Sequence, residues 1–165
     1  MENNAKQNIM SEEKGQHLFD IANAITPRHI EYRAYEKGDS FGIDVAWYTK
    51  EGKRSRGLNT LEKTFAYGSK ISHSKKKDKT YLTISALKSR KIEIKKNSEG
   101  VIQPLAQIDG KQAIVKRIWV EATKGHTIIP KVHYIEAFGI EIATGNEVKE
   151  RIVKKNDKKN KEIAA

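Results

Sequence analysis

The chain contains no cysteine. A disulfide framework, a thiol nucleophile and cysteine-held zinc or iron–sulfur centres are therefore excluded, and a reducing compartment fits. Long apolar runs are missing too. None approaches the ~18–20 residues that a membrane-spanning helix needs. The first sixteen residues are polar and carry acids, without the apolar stretch of a cleaved signal peptide, so a cytoplasmic protein is expected. No glycine-rich phosphate loop precedes a helix, and no strand–turn–helix nucleophile elbow is visible. The five histidines, His17, His29, His73, His126 and His133, are scattered without metal-ligand spacing. No metal and no cofactor are expected.

What is present is lysine. The chain has 165 residues, the length of one domain able to bury a core unaided, and a formal net charge of +11. Arginine supplies only seven of its 32 basic side chains. A basic excess speeds encounters with polyanions, but lysine also serves as plain solvation and lacks the guanidinium fork that grips phosphate. Residues 1–16 read as a disordered lead-in, 17–153 as one β-rich domain and 154–165 as a disordered lysine-rich tail.

Within the domain, β signals dominate. Leu18, Ile21, Ala22 and Ile25 fit a short helix, yet the same stretch could open a hairpin returning at His29–Glu36. Ile30, Tyr32 and Tyr35 mark a strand, and Gly42–Thr49 alternates cleanly. Asn59 followed by Glu62 marks a helix start, so a helix is expected over Asn59–Tyr67, with Gly68 suited to a left-handed stop. Strands follow at Tyr81–Leu87, Lys91–Lys96, Val101–Ile108, Lys111–Thr123, Thr127–Phe138 and Glu147–Val153, with Asp109-Gly110 as the clearest hairpin turn. The fold class is mainly β: an antiparallel barrel or sandwich of about eight strands with one short helix.

Two strands look unusual. Strict alternation along Lys111–Thr123 puts Ala113, Val115, Arg117, Trp119 and Glu121 on one face and Ile114, Lys116, Ile118, Val120 and Ala122 on the other. Thr127–Phe138 is similar, so both faces are expected to be covered. Glu136 then lies between Tyr134 and Phe138 on an apolar face, where a lone carboxylate is unfavourable unless paired. Arg117 or Lys116 is a possible partner, the register being open by one residue. The candidate ligand-binding residues are Trp47, Tyr67, Arg117, Trp119, Tyr134 and Glu136, read as a polar cluster at a barrel mouth. A near-surface ion pair is the plainer reading of Glu136.

Trp47, Glu51-Gly52, Leu58 and Ala66-Tyr67-Gly68, with Pro130, Tyr134-Ile135-Glu136, Phe138-Gly139, Thr144-Gly145 and Glu150-Arg151-Ile152, resemble a family. It is a bacterial, largely Bacteroidetes, family catalogued only as a domain of unknown function. The resemblance runs from about Leu18 to Val153. It implies a compact β-rich domain and supports the hairpin over the helix at Leu18–Glu36. It implies no activity. The stretch Ala22–Pro27 departs from the family's polar turn.

Three functions compete. The leading one is a non-enzymatic binding module for a small ligand or a protein partner. The second is nucleic-acid binding through Lys75, Lys76, Lys77, Lys91 and Lys95, with few aromatics nearby to stack on bases. The third is an enzyme using Glu136 as acid or base with Tyr67 or His133.

Overall fold

Asn59 closes the first turn of a helix as its spacing to Glu62 predicts. Its side chain accepts from the Glu62 N–H at 2.9 Å, and Glu62 accepts from the Asn59 N–H at 2.9 Å. This reciprocal cap starts α1 (Thr60–Phe65), a shorter helix than expected. The other regular elements among the described residues are strands, apart from a 3-10 turn at Ser85–Leu87. The computed structural model describes residues 15–124 and 131–153. The expected tail, most of the lead-in and the turn before Lys131 lie outside them.

Among the described residues eleven strands form, not the expected eight or so. They are β1 (Gln16–Asn23), β2 (His29–Lys37), β3 (Ser40–Tyr48), β4 (Arg54–Gly57), β5 (Ser69–Ser74), β6 (Lys79–Ile84), β7 (Ile92–Lys96), β8 (Ile102–Ile108), β9 (Lys111–Thr123), β10 (Lys131–Glu141) and β11 (Glu147–Val153). β1 settles the first ambiguity as a strand, hairpinned to β2. The sheet is mixed, because β1 runs parallel to β9 through Asp20–Arg117 and Asn23–Val120.

The long strand β9 is the junction. β10 lines one of its edges from Ala113 to Thr123. The other edge is shared: β8 pairs with residues 111–114 and β1 with residues 117–120. Two arms therefore leave β9, one running β1–β2–β3–β4 and the other β8–β7–β6–β5. The Gln16 side chain stitches the arms together, its amide donating to the Ile102 carbonyl at 2.5 Å and accepting from the Ile102 N–H at 3.0 Å. Their inner faces share one core that includes Phe19, Ile21, Ile30, Tyr32, Leu82, Ile94, Ile118 and Val120.

The arms approach each other at β3 and β5 without pairing, so the expected barrel does not close. β4 covers β3 only along Ala46–Tyr48, and β5 pairs only with β6. A cleft occupies this gap.

The two-faced apolar pattern has a different cause from the one expected. Arg117 pairs with Phe138 and Val115 with Gly139, leaving Lys116 as an extra, unpaired residue. This bulge changes which side chains point inward. Ala113 and Val115 are buried before it, and Ile118, Val120 and Ala122 after it. The core face is thus continuous, while Ile114, Trp119, Phe138 and Ile140 are half-buried on the opposite face. Gly139 suits the spot, since a Cβ there would sit 2.5 Å from the Ile114 carbonyl oxygen. Gly68 likewise serves close approach, not a left-handed turn: a Cβ on it would lie 1.9 Å from the Lys63 carbonyl oxygen.

Candidate functional site

The six residues expected to hold a ligand fall into two groups. Trp47 and Tyr67 meet inside the β1–β4 arm, edge to face at 5.7 Å between centroids. The Trp47 indole N–H donates to Glu62 at 3.0 Å, and Glu62 in turn takes two hydrogen bonds from Arg56. Arg28 and Arg56 lie over the indole, at 5.6 and 5.8 Å from its centroid. Tyr32, fully buried, donates to the Tyr67 carbonyl at 2.6 Å. Burial, reinforced by nearby Tyr67, keeps the Tyr32 phenol protonated far above its ordinary range. This cluster fastens α1 and its flanks to the sheet.

Arg117, Trp119, Tyr134 and Glu136 meet on the outer face of β9, β10 and β11. Glu136 lies between Trp119 on β9 and Arg151 on β11. Arg151 donates to it at 3.3 Å, and Lys149 stands 3.9 Å away. The partner of Glu136 is therefore on β11 and not on β9. Arg117 instead covers the Phe138 ring at 4.6 Å, and Arg151 the Tyr134 ring at 4.0 Å. Trp119 donates to Glu121 at 2.8 Å. His133 is exposed beside Thr123, at 3.0 Å from its hydroxyl. The suggested catalytic partners of Glu136, Tyr67 and His133, are engaged elsewhere.

Two carboxylates are held ionised by arginine. Burial opposes the charge of Glu62, but hydrogen bonds from Arg56, the Asn59 N–H and Trp47 outweigh it and lower its pKa. Arg90 lowers that of Glu150 through a two-pronged contact, aided by the Asp109 N–H at 2.7 Å. Depressed carboxylate pKa values add stability that is present above the ordinary value of about 4.3 and is lost as pH falls through the folded-state value. The urea midpoint is therefore expected to drop as pH is lowered from 5 to 3. Glu150→Gln should flatten part of that slope, and an unchanged slope would count against this pairing.

His17, Asp20 and Glu31 bring one potential metal-binding atom each within 4.8 Å of one another on the outer face of β1 and β2. Both Glu31 oxygens are already engaged, one by Arg33 at 2.7 Å and one by His29 at 2.9 Å. The group is complete as an ion-pair ladder.

The cleft between β3 and β5 differs from all of these. Its volume is about 910 Å3, and none of the six expected residues lines it. Lys63 from α1, Lys70 from β5, Lys88 from the turn after β6 and Lys91 before β7 converge there. Hydroxyls of Ser69, Ser72 and Thr83 stand among them, with Ile43, Val45, Leu58 and Ile84 as apolar wall, while the Ser85 hydroxyl donates to the Lys63 and Gly68 carbonyls. Asp44, its one acid, is taken by Arg54 at 2.6 Å. Lys63, Lys70 and Lys88 are exposed and have no carboxylate partner among the described residues. Elsewhere Lys79 reaches Glu93 and Lys96 reaches Glu36. Of these four lysines sequence reading singled out only Lys91, because the others come from separate segments.

The family described as Domain of unknown function (DUF4833) matches residues 33–151. No curated protein and no solved structure matches the chain. No helix among the described residues is long and apolar enough to cross a membrane.

Proposed function

The chain belongs to that family, and from the lysine-lined cleft we propose that it is a non-catalytic binding module whose ligand is an anion. The observation that carries this reading is the convergence of Lys63, Lys70, Lys88 and Lys91 in one cleft where the only acid is already neutralised. Like charges gathered without counter-charge repel one another, and a bound anion relieves that repulsion. Serine and threonine hydroxyls add neutral donors that orient an oxyanion. The apolar wall admits a ligand with some non-polar surface beside its charge. Glu136, held between Arg151 and Lys149, is read as an ion-pair member and not as an acid–base catalyst.

Titration with inorganic pyrophosphate tests the reading. Amide resonances of Lys70, Ser72 and Thr83 are expected to shift in a saturable way at low salt, with those of Trp119 and Tyr134 unmoved. A variant with Lys63, Lys70, Lys88 and Lys91 all changed to serine should weaken that binding at least about tenfold, in line with loss of several phosphate contacts. Shifts spread evenly over every lysine-bearing strand would sink the idea of a defined site.

A further inference from the structure

The net charge of this protein is not spread over its surface. Residues 69–96 carry ten basic and two acidic side chains, which leaves +8 of the chain's +11 on the arm formed by β5, β6 and β7. Strand register shows where those lysines point. Lys70 pairs with Thr83, Ser72 with Tyr81 and Ser74 with Lys79, so these six share one face. Tyr81 pairs with Glu93, which adds the matching face of β7, where Lys95 lies two residues on. Thr80, Leu82, Ile84, Ile92 and Ile94 point the other way, into the core. The shared face is therefore the outer one.

The cleft opens at the start of β5, beside Lys70, and the hairpin tip with Lys75, Lys76 and Lys77 lies at its end. Six strand residues span roughly 17–20 Å. A small anion can satisfy the cleft but cannot reach the tip. Only a chain of anions can meet the lysines along the whole face.

We propose that the anion is the phosphate backbone of a single-stranded nucleic acid, which enters the cleft among Lys63, Lys70, Lys88 and Lys91 and runs outward along β5 and β6 past Tyr81. This deepens the anion-binding reading and rests on it. Hydroxyls interleaved with lysines match the mixture of donors that phosphates take. Tyr81 is half-buried with the Lys91 ammonium 5.5 Å from its ring centroid, and a base can stack there once Lys91 turns to a phosphate. A lipid surface fits less well. The four cleft lysines line a recess, and no large apolar side chain is exposed on this face to enter a bilayer; the exposed ones among the described residues are Leu61, Val101, Ile142 and Val153.

The test is fluorescence anisotropy with a labelled twelve-nucleotide deoxythymidine strand and the full chain. At least four phosphate contacts to a single strand give a log–log salt slope of about −2.8 or steeper, so affinity should fall at least about 50-fold between 50 and 200 mM salt. The serine variant at Lys63, Lys70, Lys88 and Lys91 should lose at least about tenfold at 50 mM and show a much shallower slope. A second variant, with the exposed Lys116, Lys131 and Lys149 away from the path changed to serine, is expected to lose less than about threefold. Both variants must first show wild-type circular dichroism and elute as the wild type does; single Lys→Gln changes at the cleft replace the fourfold variant if it does not fold. Equal losses from the two variants would make the binding generic charge attraction and overturn the proposal. Binding to phosphatidylserine vesicles with none to the oligonucleotide would overturn it in favour of a membrane. Pyrophosphate shifts in the cleft without oligonucleotide binding would overturn the nucleic acid while leaving the anion-binding reading intact. If neither ligand binds, both fall.

Discussion

Deleting Lys116 is expected to lower stability by about 1–3 kcal/mol, although its side chain is exposed. Lys116→Ala, at the same place, should change stability by no more than about 0.5 kcal/mol, the usual size of a surface substitution. The difference lies in the backbone. On one edge of β9, β8 fixes residues 111–114 through the tight turn at Asp109-Gly110, and β1 fixes residues 117–120 from the other arm. Without Lys116, Val115 and Arg117 become neighbours. Plain alternation then keeps Ala113, Val115, Ile118, Val120 and Ala122 on the core face, and the ladder to β10 becomes regular. What must give is the other edge, where β8 and β1 are drawn one residue, about 3.3 Å, closer together. The core shared by the two arms and the Gln16–Ile102 hydrogen bonds are set to the present spacing, and crowding a packed core costs about 1–3 kcal/mol. Urea unfolding of the two variants side by side checks it, with both expected to unfold cooperatively. A deletion variant as stable as Lys116→Ala would falsify the role of the bulge in spacing the arms.

Trp47→Ala should be among the most damaging of the simple substitutions, costing about 3–5 kcal/mol. Trp47 is 6% exposed, so nearly all of its ring area is removed from water. Its loss opens a cavity against Tyr67 and leaves two arginines without the ring they cover. It also removes the indole donor to Glu62, the residue that closes the cap of α1. For a domain of this length that corresponds to a fall in Tm of about 6–20 °C. Trp47→Phe keeps a ring in the cavity and should recover a large part of it. Calorimetry of both variants distinguishes packing from the lost hydrogen bond. A Tm within a degree or two of wild type for Trp47→Ala would mean that the cluster does not fasten α1.

Much of the fold can be read from the chain, and the misses share a physical cause. Asn59 and Glu62 are legible because a helix cap is a local event at fixed spacing. Strands β6 to β11 are legible because alternation is local too. β4 escapes, since Arg54-Ser55-Arg56-Gly57 holds no apolar residue and becomes a strand only by lying against the end of β3. β5 escapes for the same reason, with Ile71 as its lone large apolar side chain. The bulge has a trace in the sequence: Lys116 and Arg117 stand together between Val115 and Ile118, two polar neighbours where strict alternation allows one. Taking that pair as a break in phase would have joined the two apolar sets into one face. The grouping of Arg117, Trp119, Tyr134 and Glu136 follows from strand neighbourhood and is found. The cleft is not, because Lys63, Lys70, Lys88 and Lys91 meet only through the approach of two arms. What the sequence does show of it is the dense run of lysine between residues 70 and 96.

The unpaired margins of β3 and β5 bear on self-association. Free strand edges are templates on which another chain can add, the first step toward intermolecular β-sheet. Here β5 carries Lys70 at its start and three lysines just past its end, and a second copy approaching edge-on would have to bury like charges against like. The positive charge that suits the cleft to an anion thus also opposes edge-on addition of a second copy. Saturating the cleft with anions lifts that repulsion, so the occupied protein should tolerate crowding less well than the free one.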